Sequence, residues 1–225
     1  MIEVLSYKDG MNLILKLASE NNLIPIIGSG FTHGCKTANN NVPNGNELNE
    51  LMKKSILNAK RGYTSEDIAQ LNLTETSEIF FDEIPLDERQ IFYADYFIDV
   101  GLPDHKVTFL RTFWPYIYTI NIDDAIEKNT GYDKILTYSN FNPNCSKILK
   151  NKKFIFKLHG DALYEIKSNI QDNMIFSRIQ YVRSLTAENK CGQLVNNCDG
   201  YNWCKTSCII ELPSASADAH RKRKL

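Results

Sequence analysis

The sequence predicts an α/β fold: a doubly wound, mainly parallel sheet with an inserted helical subdomain. Two observations predict it. Short apolar runs that read as buried strands alternate with segments of helical spacing, which implies a parallel sheet covered on both faces. Between the first two runs lies a helical stretch, about residues 45–113, too long for a simple crossover helix. The α/β domain spans 1–188, and 189–225 reads as a divergent, disordered tail or an unrelated end joined to the domain.

The elements follow in order. Asp9 is placed to cap a helix carrying Met11, Ile14, Leu15 and Leu17. Leu23–Ile27 (LIPII) is a buried strand running into Gly28-Ser29-Gly30. Thr37–Gly45, rich in Asn and holding Pro43, is predicted to be a mobile loop. Helices are predicted over Glu47–Ala59, Ser65–Leu71, Glu75–Phe81, Asp87–Val100 and Asp104–Phe113. The later strands are Pro115–Ile120, Lys134–Tyr138 and Phe154–Leu158, with a short one at Met174–Phe176. Helices are expected at Asp123–Asn129 and Arg178–Ala187.

Composition narrows the function. Apolar residues make up 43% of the 225, enough for a sizeable core and too many for wholesale disorder. Lys plus Arg is 26 against 27 for Asp plus Glu, a balance that argues against general nucleic-acid binding. Arg221, Lys222, Arg223 and Lys224 form a short basic end, and the rest is about five units acidic. Such an end is ordinarily just solvated. No signal peptide is visible in Met1–Asn12, and no run approaches the ~18–20 apolar residues of a membrane helix. The expectation is a soluble, cytoplasmic protein. Of the cysteines, only Cys35 and Cys145 lie in the first 187 residues, which suits a reducing compartment.

Three predicted strands end in chemistry: Gly28-Ser29-Gly30, Asn121-Ile122-Asp123 and His159-Gly160-Asp161. Parallel strands put all of these at one edge, where open sheets bind ligands. Each piece also has a plain reading. GSG is one residue off the dinucleotide fingerprint, because Gly34 comes late, and is otherwise an ordinary turn. Its glycines would still let amide N–H groups face a diphosphate. Asp123 or Asp124 would equally cap the following helix. His159 alone would be an ordinary surface or core histidine. His33 sits in the glycine loop, His105 in a predicted helix and His220 in the tail.

Taken in order, PIIGSGFT, VPNGNEL, YTINIDDAIE and FKLHGD form a pattern over roughly residues 20–185. It resembles the sirtuins: a glycine-rich cofactor loop, a threonine-x-asparagine-x-aspartate strand end and a lysine-leucine-histidine-glycine strand end. The nearest likeness is to the sirtuin-like NAD hydrolases of prokaryotic antiviral defence, the Thoeris-type and defence-associated sirtuin proteins. The resemblance implies a sirtuin-like Rossmann variant. It implies that Gly28, Ser29, Gly30, Phe31 and Thr32 form the loop over the dinucleotide. Asn121 and His159 would take the two catalytic positions, and Asp123 would help bind nicotinamide and its ribose. The implied activity is an NAD+ glycohydrolase that depletes NAD+ during infection. Members are often fused to a sensor domain or triggered by a separate protein, and often assemble into oligomers.

The sequence departs from that pattern in places. Deacylating sirtuins carry glutamine where Ile120 stands, and a zinc ribbon of paired C-x-x-C motifs. Cys191, Cys198, Cys204 and Cys208 have no such spacing, so no zinc is expected. This favours cofactor hydrolysis over protein deacylation. The family continues past the histidine with strands that bind the adenosine half, and no counterpart is recognisable after Ala187. That implies a C-terminally truncated member and keeps a non-catalytic or inactive NAD-binding module among the alternatives.

Overall fold

The computed structural model describes residues 5–20, 23–112, 114, 116–132, 134–137, 154–167, 174–177 and 180. The predicted helix over 178–187 (but for Gln180), the tail from 189, Cys145 and the later cysteines, His220 and the basic end lie outside the described residues. Helix α1 (Tyr7–Ser19) leads to β1 (Ile26–Ile27) and a single 3-10 turn, Ser29–Phe31. Helices α2 (Gly45–Asn58), α3 (Ser65–Ile68), α4 (Leu73–Glu83), α5 (Leu86–Phe97) and α6 (Asp104–Arg111) follow. Then come β2 (Tyr116–Thr119), α7 (Ala125–Thr130), β3 (Lys134–Thr137), β4 (Phe154–Lys157) and α8 (Ala162–Lys167).

The strands form one all-parallel, four-stranded sheet in the order β1-β2-β4-β3, interleaved with helices. Ile27 pairs with Thr119, and Thr119 with Lys157, so the ends of β1, β2 and β4 lie in one row. Side chains alternate across this pleat. Ile27, Ile117 and Ile155 share a core with Leu17, Leu110 and Trp114. Tyr116, Tyr118, Phe154 and Phe156 pack on one another on the opposite face, with Tyr118 stacked on Phe156 at 4.7 Å. A separate core inside the helical stretch holds Met52, Ile56, Phe80, Tyr93 and Phe97, and reaches Ile122 and Ala162. Fully burying one such side chain contributes about 1.5–3 kcal/mol.

Local chemistry moved several predicted boundaries. Ser6, not Asp9, caps α1: its hydroxyl accepts the Asp9 amide N–H. Asn44 begins α2 with a reciprocal capping box, its side chain taking the Glu47 amide while Glu47 takes the Asn44 amide. The predicted loop over 37–45 is laced rather than free. Lys36 bridges Asn41, Thr37 Oγ1 donates to the Asp95 carbonyl (2.7 Å), and Asn39 donates to the Asp95 carboxylate (2.7 Å). Short amide and hydroxyl side chains satisfy the backbone here. Met174–Phe176 is not a strand. The amides of Phe176 and Ser177 both donate to Gln180 Oε1, a side chain taking what a ladder would have taken. Among the described residues, no helix is long and apolar enough to cross a membrane.

Asp124 joins the helical stretch to the sheet. Its carboxylate accepts the amides of Asp99 (2.8 Å) and Val100 (2.9 Å), where Asp99 holds φ at +63°. Asp124→Ala is expected to lower the unfolding free energy by about 1–3 kcal/mol, read from urea titration.

Candidate functional site

The end of β2 builds the site. The Thr119 hydroxyl donates to the Ile27 carbonyl and accepts the Asn121 amide N–H, each at 2.9 Å. One side chain thus ties β1 to β2 and sets the direction in which Asn121 leaves the sheet. The Asn121 side-chain amide donates to Thr32 Oγ1 (2.9 Å), and the Thr32 hydroxyl donates to Asp123 Oδ2 (2.7 Å). A hydroxyl has one proton to give. Thr32 gives it to the carboxylate, so its oxygen can only receive from Asn121. That leaves Asn121 Oδ1 buried and, among the described residues, without a hydrogen-bond partner. An unsatisfied buried acceptor costs about 1–3 kcal/mol, which a ligand donor would remove.

Asp123 is 2% exposed. Burial pushes its carboxyl above the ordinary carboxylate value, against the pull of the Lys157 ammonium and the Thr32 hydroxyl. Its Oδ1 also accepts the Ala125 amide N–H (3.1 Å), so it starts α7 as well as facing the site. Asp124 stands at the N-cap position but makes no side-chain cap bond, being spent on Asp99 and Val100.

The end of β4 supplies His159. The Leu158 amide continues the ladder to the Thr119 carbonyl (2.8 Å). The chain then turns through Gly160 at φ +97°, where a Cβ would be strained. The His159 carbonyl accepts the Ile175 amide (3.1 Å), and its ring meets Phe176 edge-on at 6.3 Å. Burial pushes the imidazole pKa below 6.5, favouring the neutral form.

Asn121, Asp123, His159, Ser29 and Thr32 all line one cleft of about 560 Å³. Its remaining wall is mostly apolar, with Leu48, Leu73 and Phe97 from the helical stretch and Ile122, Ile175 and Phe176 from the strand-end segments. Ile120, 40% exposed, also lines the cleft. Gly28, Gly30 and Phe31 do not line it. The 3-10 turn sends Phe31 into the core, 5.9 Å from the Phe109 ring and beneath the Lys106 ammonium. The amides of Phe31, Thr32 and His33 are satisfied inside the turn, so they are not free to face a diphosphate. His33 lies outside this cleft and pairs with Glu47 (3.1 Å).

Sequence reasoning placed Lys157 and Asp161 in the FKLHGD strand end but gave them no role, and it did not foresee their pairing with each other or with Glu127. Lys157 is wholly buried and donates to both carboxylates, each at 2.6 Å. The available signal was a lysine inside the apolar run FIFKL. Among the described residues, no group of three or more His, Cys, Asp or Glu side chains gathers as metal ligands would.

Compared with known proteins, the chain matches no family model and no curated protein.

Thr32 is the test of this arrangement. Thr32→Val should destabilise the fold by about 1–3 kcal/mol in chemical denaturation, because it strands Asp123 and the Asn121 amide. Thr32→Ser, which keeps the hydroxyl, should recover most of that loss.

Proposed function

We propose that the chain is an NAD+ glycohydrolase that cleaves the bond between nicotinamide and ribose. One observation carries this reading: a buried Asn121 acceptor without a partner shares a cleft with Asp123 and His159. The cleft volume, about 560 Å³, falls in the range of small-molecule sites. The order of motifs supports a sirtuin-like, doubly wound Rossmann variant, with NAD+ as substrate.

The chemistry asks little of an acid. Nicotinamide leaves with the electron pair of its bond to the ribose C1′ carbon and departs neutral. Positive charge develops on the ribose, as in other glycoside cleavages. Water adds to C1′, and its proton must go elsewhere. Asn121 suits the ribose hydroxyls or the attacking water, since Oδ1 is free to accept. His159 suits the proton, because burial keeps it neutral and basic sites near neutrality work best as general bases. Asp123 would bond the nicotinamide amide or stabilise the developing charge. The apolar wall limits competing water. By the resemblance, the reaction would serve antiviral defence by draining NAD+, under a fused or separate sensor and within an oligomer.

A second reading is an NAD-dependent protein deacylase, favoured by the apolar wall, which would accept an acyl chain. Incubation with NAD+ separates the two. Nicotinamide released without acyl-peptide supports the glycohydrolase, and release only with acyl-peptide supports the deacylase. Neither release nor NAD+ binding would leave a non-catalytic module.

Asn121→Ala and His159→Ala should each lower nicotinamide release by roughly two to four orders of magnitude. The pH dependence has a definite sign. His159 must be neutral to accept a proton, and burial pushes its pKa below that of an ordinary histidine. The acid limb of turnover should therefore lie on the acid side of an ordinary histidine titration. A limb on the basic side of that titration would exclude His159 as the base.

A further inference from the structure

A lysine is almost never fully buried without partners. The Lys157 side chain is 0% exposed and has four acceptors around it. Its ammonium donates to the Asp123 carbonyl (2.5 Å), Glu127 Oε1 (2.6 Å) and Asp161 Oδ2 (2.6 Å). The Ile122 carbonyl lies farther off, at 3.3 Å. An ammonium has three protons, so the short contacts use them all and Ile122 shares one. Asp161 Oδ1 in turn accepts the Tyr164 amide (2.6 Å) in the first turn of α8.

These contacts converge on the site from separate elements. The two carbonyls belong to the segment that carries Asn121 and Asp123. Glu127 belongs to α7, Asp161 to the start of α8, and Lys157 stands two residues before His159. We propose that Lys157 is the positioning residue of this site: its buried ammonium pins the backbone of Ile122 and Asp123 to the end of β4, setting Asn121 and Asp123 against His159. Its role in turnover rests on the glycohydrolase reading. Its role in holding Asp123 does not.

The electrostatics agree with the geometry. Burial alone would lower the Lys157 pKa, but Glu127 and Asp161 outweigh it and keep the ammonium charged. Burial also lifts Glu127, to about 7. Asp123 is faced by Lys157 from β4, by Asp124 beside it, by the Thr32 hydroxyl and the Ala125 amide, and by the Cys35 thiol. Glu127 and Asp161 stand behind Lys157, and His159 lines the same cleft. Lys157 is the cation that opposes the burial of Asp123.

Lys157→Met alone would strand two buried carboxyl groups, so the test replaces all three as Lys157→Met/Glu127→Gln/Asp161→Asn. Two readouts are taken on the full chain: nicotinamide release from NAD+, and the carbon-13 NMR titration of the Asp123 carboxyl, assigned with Asp123→Asn. In the triple variant kcat is expected to fall by about thirtyfold or more with KM within about threefold, the pattern of lost orientation rather than lost binding. The Asp123 midpoint should move up in the triple variant, because of the three groups replaced only Lys157 acts on that carboxyl. Lys157→Arg is the second variant. It keeps the charge, so the Asp123 midpoint should stay within about half a unit, while a planar guanidinium cannot repeat the ammonium geometry and kcat should fall at least about tenfold. Wild-type kcat in either variant, or an unmoved Asp123 midpoint in the triple variant, overturns the proposal. No nicotinamide release by the wild-type chain overturns the glycohydrolase reading instead, and the Asp123 titration still decides whether the Lys157 charge acts on that carboxyl.

Discussion

Parallel strands must all leave a sheet at the same edge. Here that constraint gathers β1, β2 and β4 into one row of ends, with Ile27, Thr119 and Lys157 in register. The candidate site follows from that row. The turn after β1 delivers Ser29 and Thr32, the segment after β2 delivers Asn121 and Asp123, and the turn after β4 delivers His159. None of these segments could gather its polar groups alone. The Thr119 hydroxyl fastens the row where β1 meets β2, because it bonds the last β1 carbonyl and the Asn121 amide together.

The site is expensive to keep folded, and the costs sit close together. An acceptor on Asn121 has no partner, a carboxyl at Asp123 is buried, and an ammonium at Lys157 is fully withdrawn from water. Groups held in such states destabilise a fold unless neighbours compensate, and they concentrate where a ligand or a reaction needs them. The compensation here is specific. Lys157 has two carboxyl partners and backbone carbonyls, and Asp123 has the Thr32 hydroxyl and the Ala125 amide. Asn121 Oδ1 and Glu127 Oε2 are left over, and of the two only Asn121 lines the cleft. That asymmetry supports reading the cleft as a ligand site rather than as a settled polar core.

The helical stretch between β1 and β2 has a part in this beyond filling space. Its own core reaches Ile122 and Ala162 beyond the strand ends, and it lends the cleft part of its apolar wall. Asp124 couples the two regions by bonding the amides at Asp99 and Val100. A ligand in the cleft would touch helices and strand ends together.

Much of this was written in local pattern. The apolar runs placed the strands, because a buried parallel strand needs apolar side chains on both faces, and FIFKL shows that need in its wholly buried β4. Asn121, Asp123 and His159 were legible because polar residues directly after such runs must emerge at the sheet edge. The glycine loop was only half legible: which of its residues face the cleft depends on one 3-10 turn, and that turn sends Ser29 outward and Phe31 into the core. Pairing across distance was not legible. Thr32 meets Asp123 across 91 positions, and Lys157 meets Glu127 across 30. A local pattern records how a side chain suits its own strand or helix. Which distant proton donor it finds is decided only when strands pair in register and burial removes water as the alternative partner.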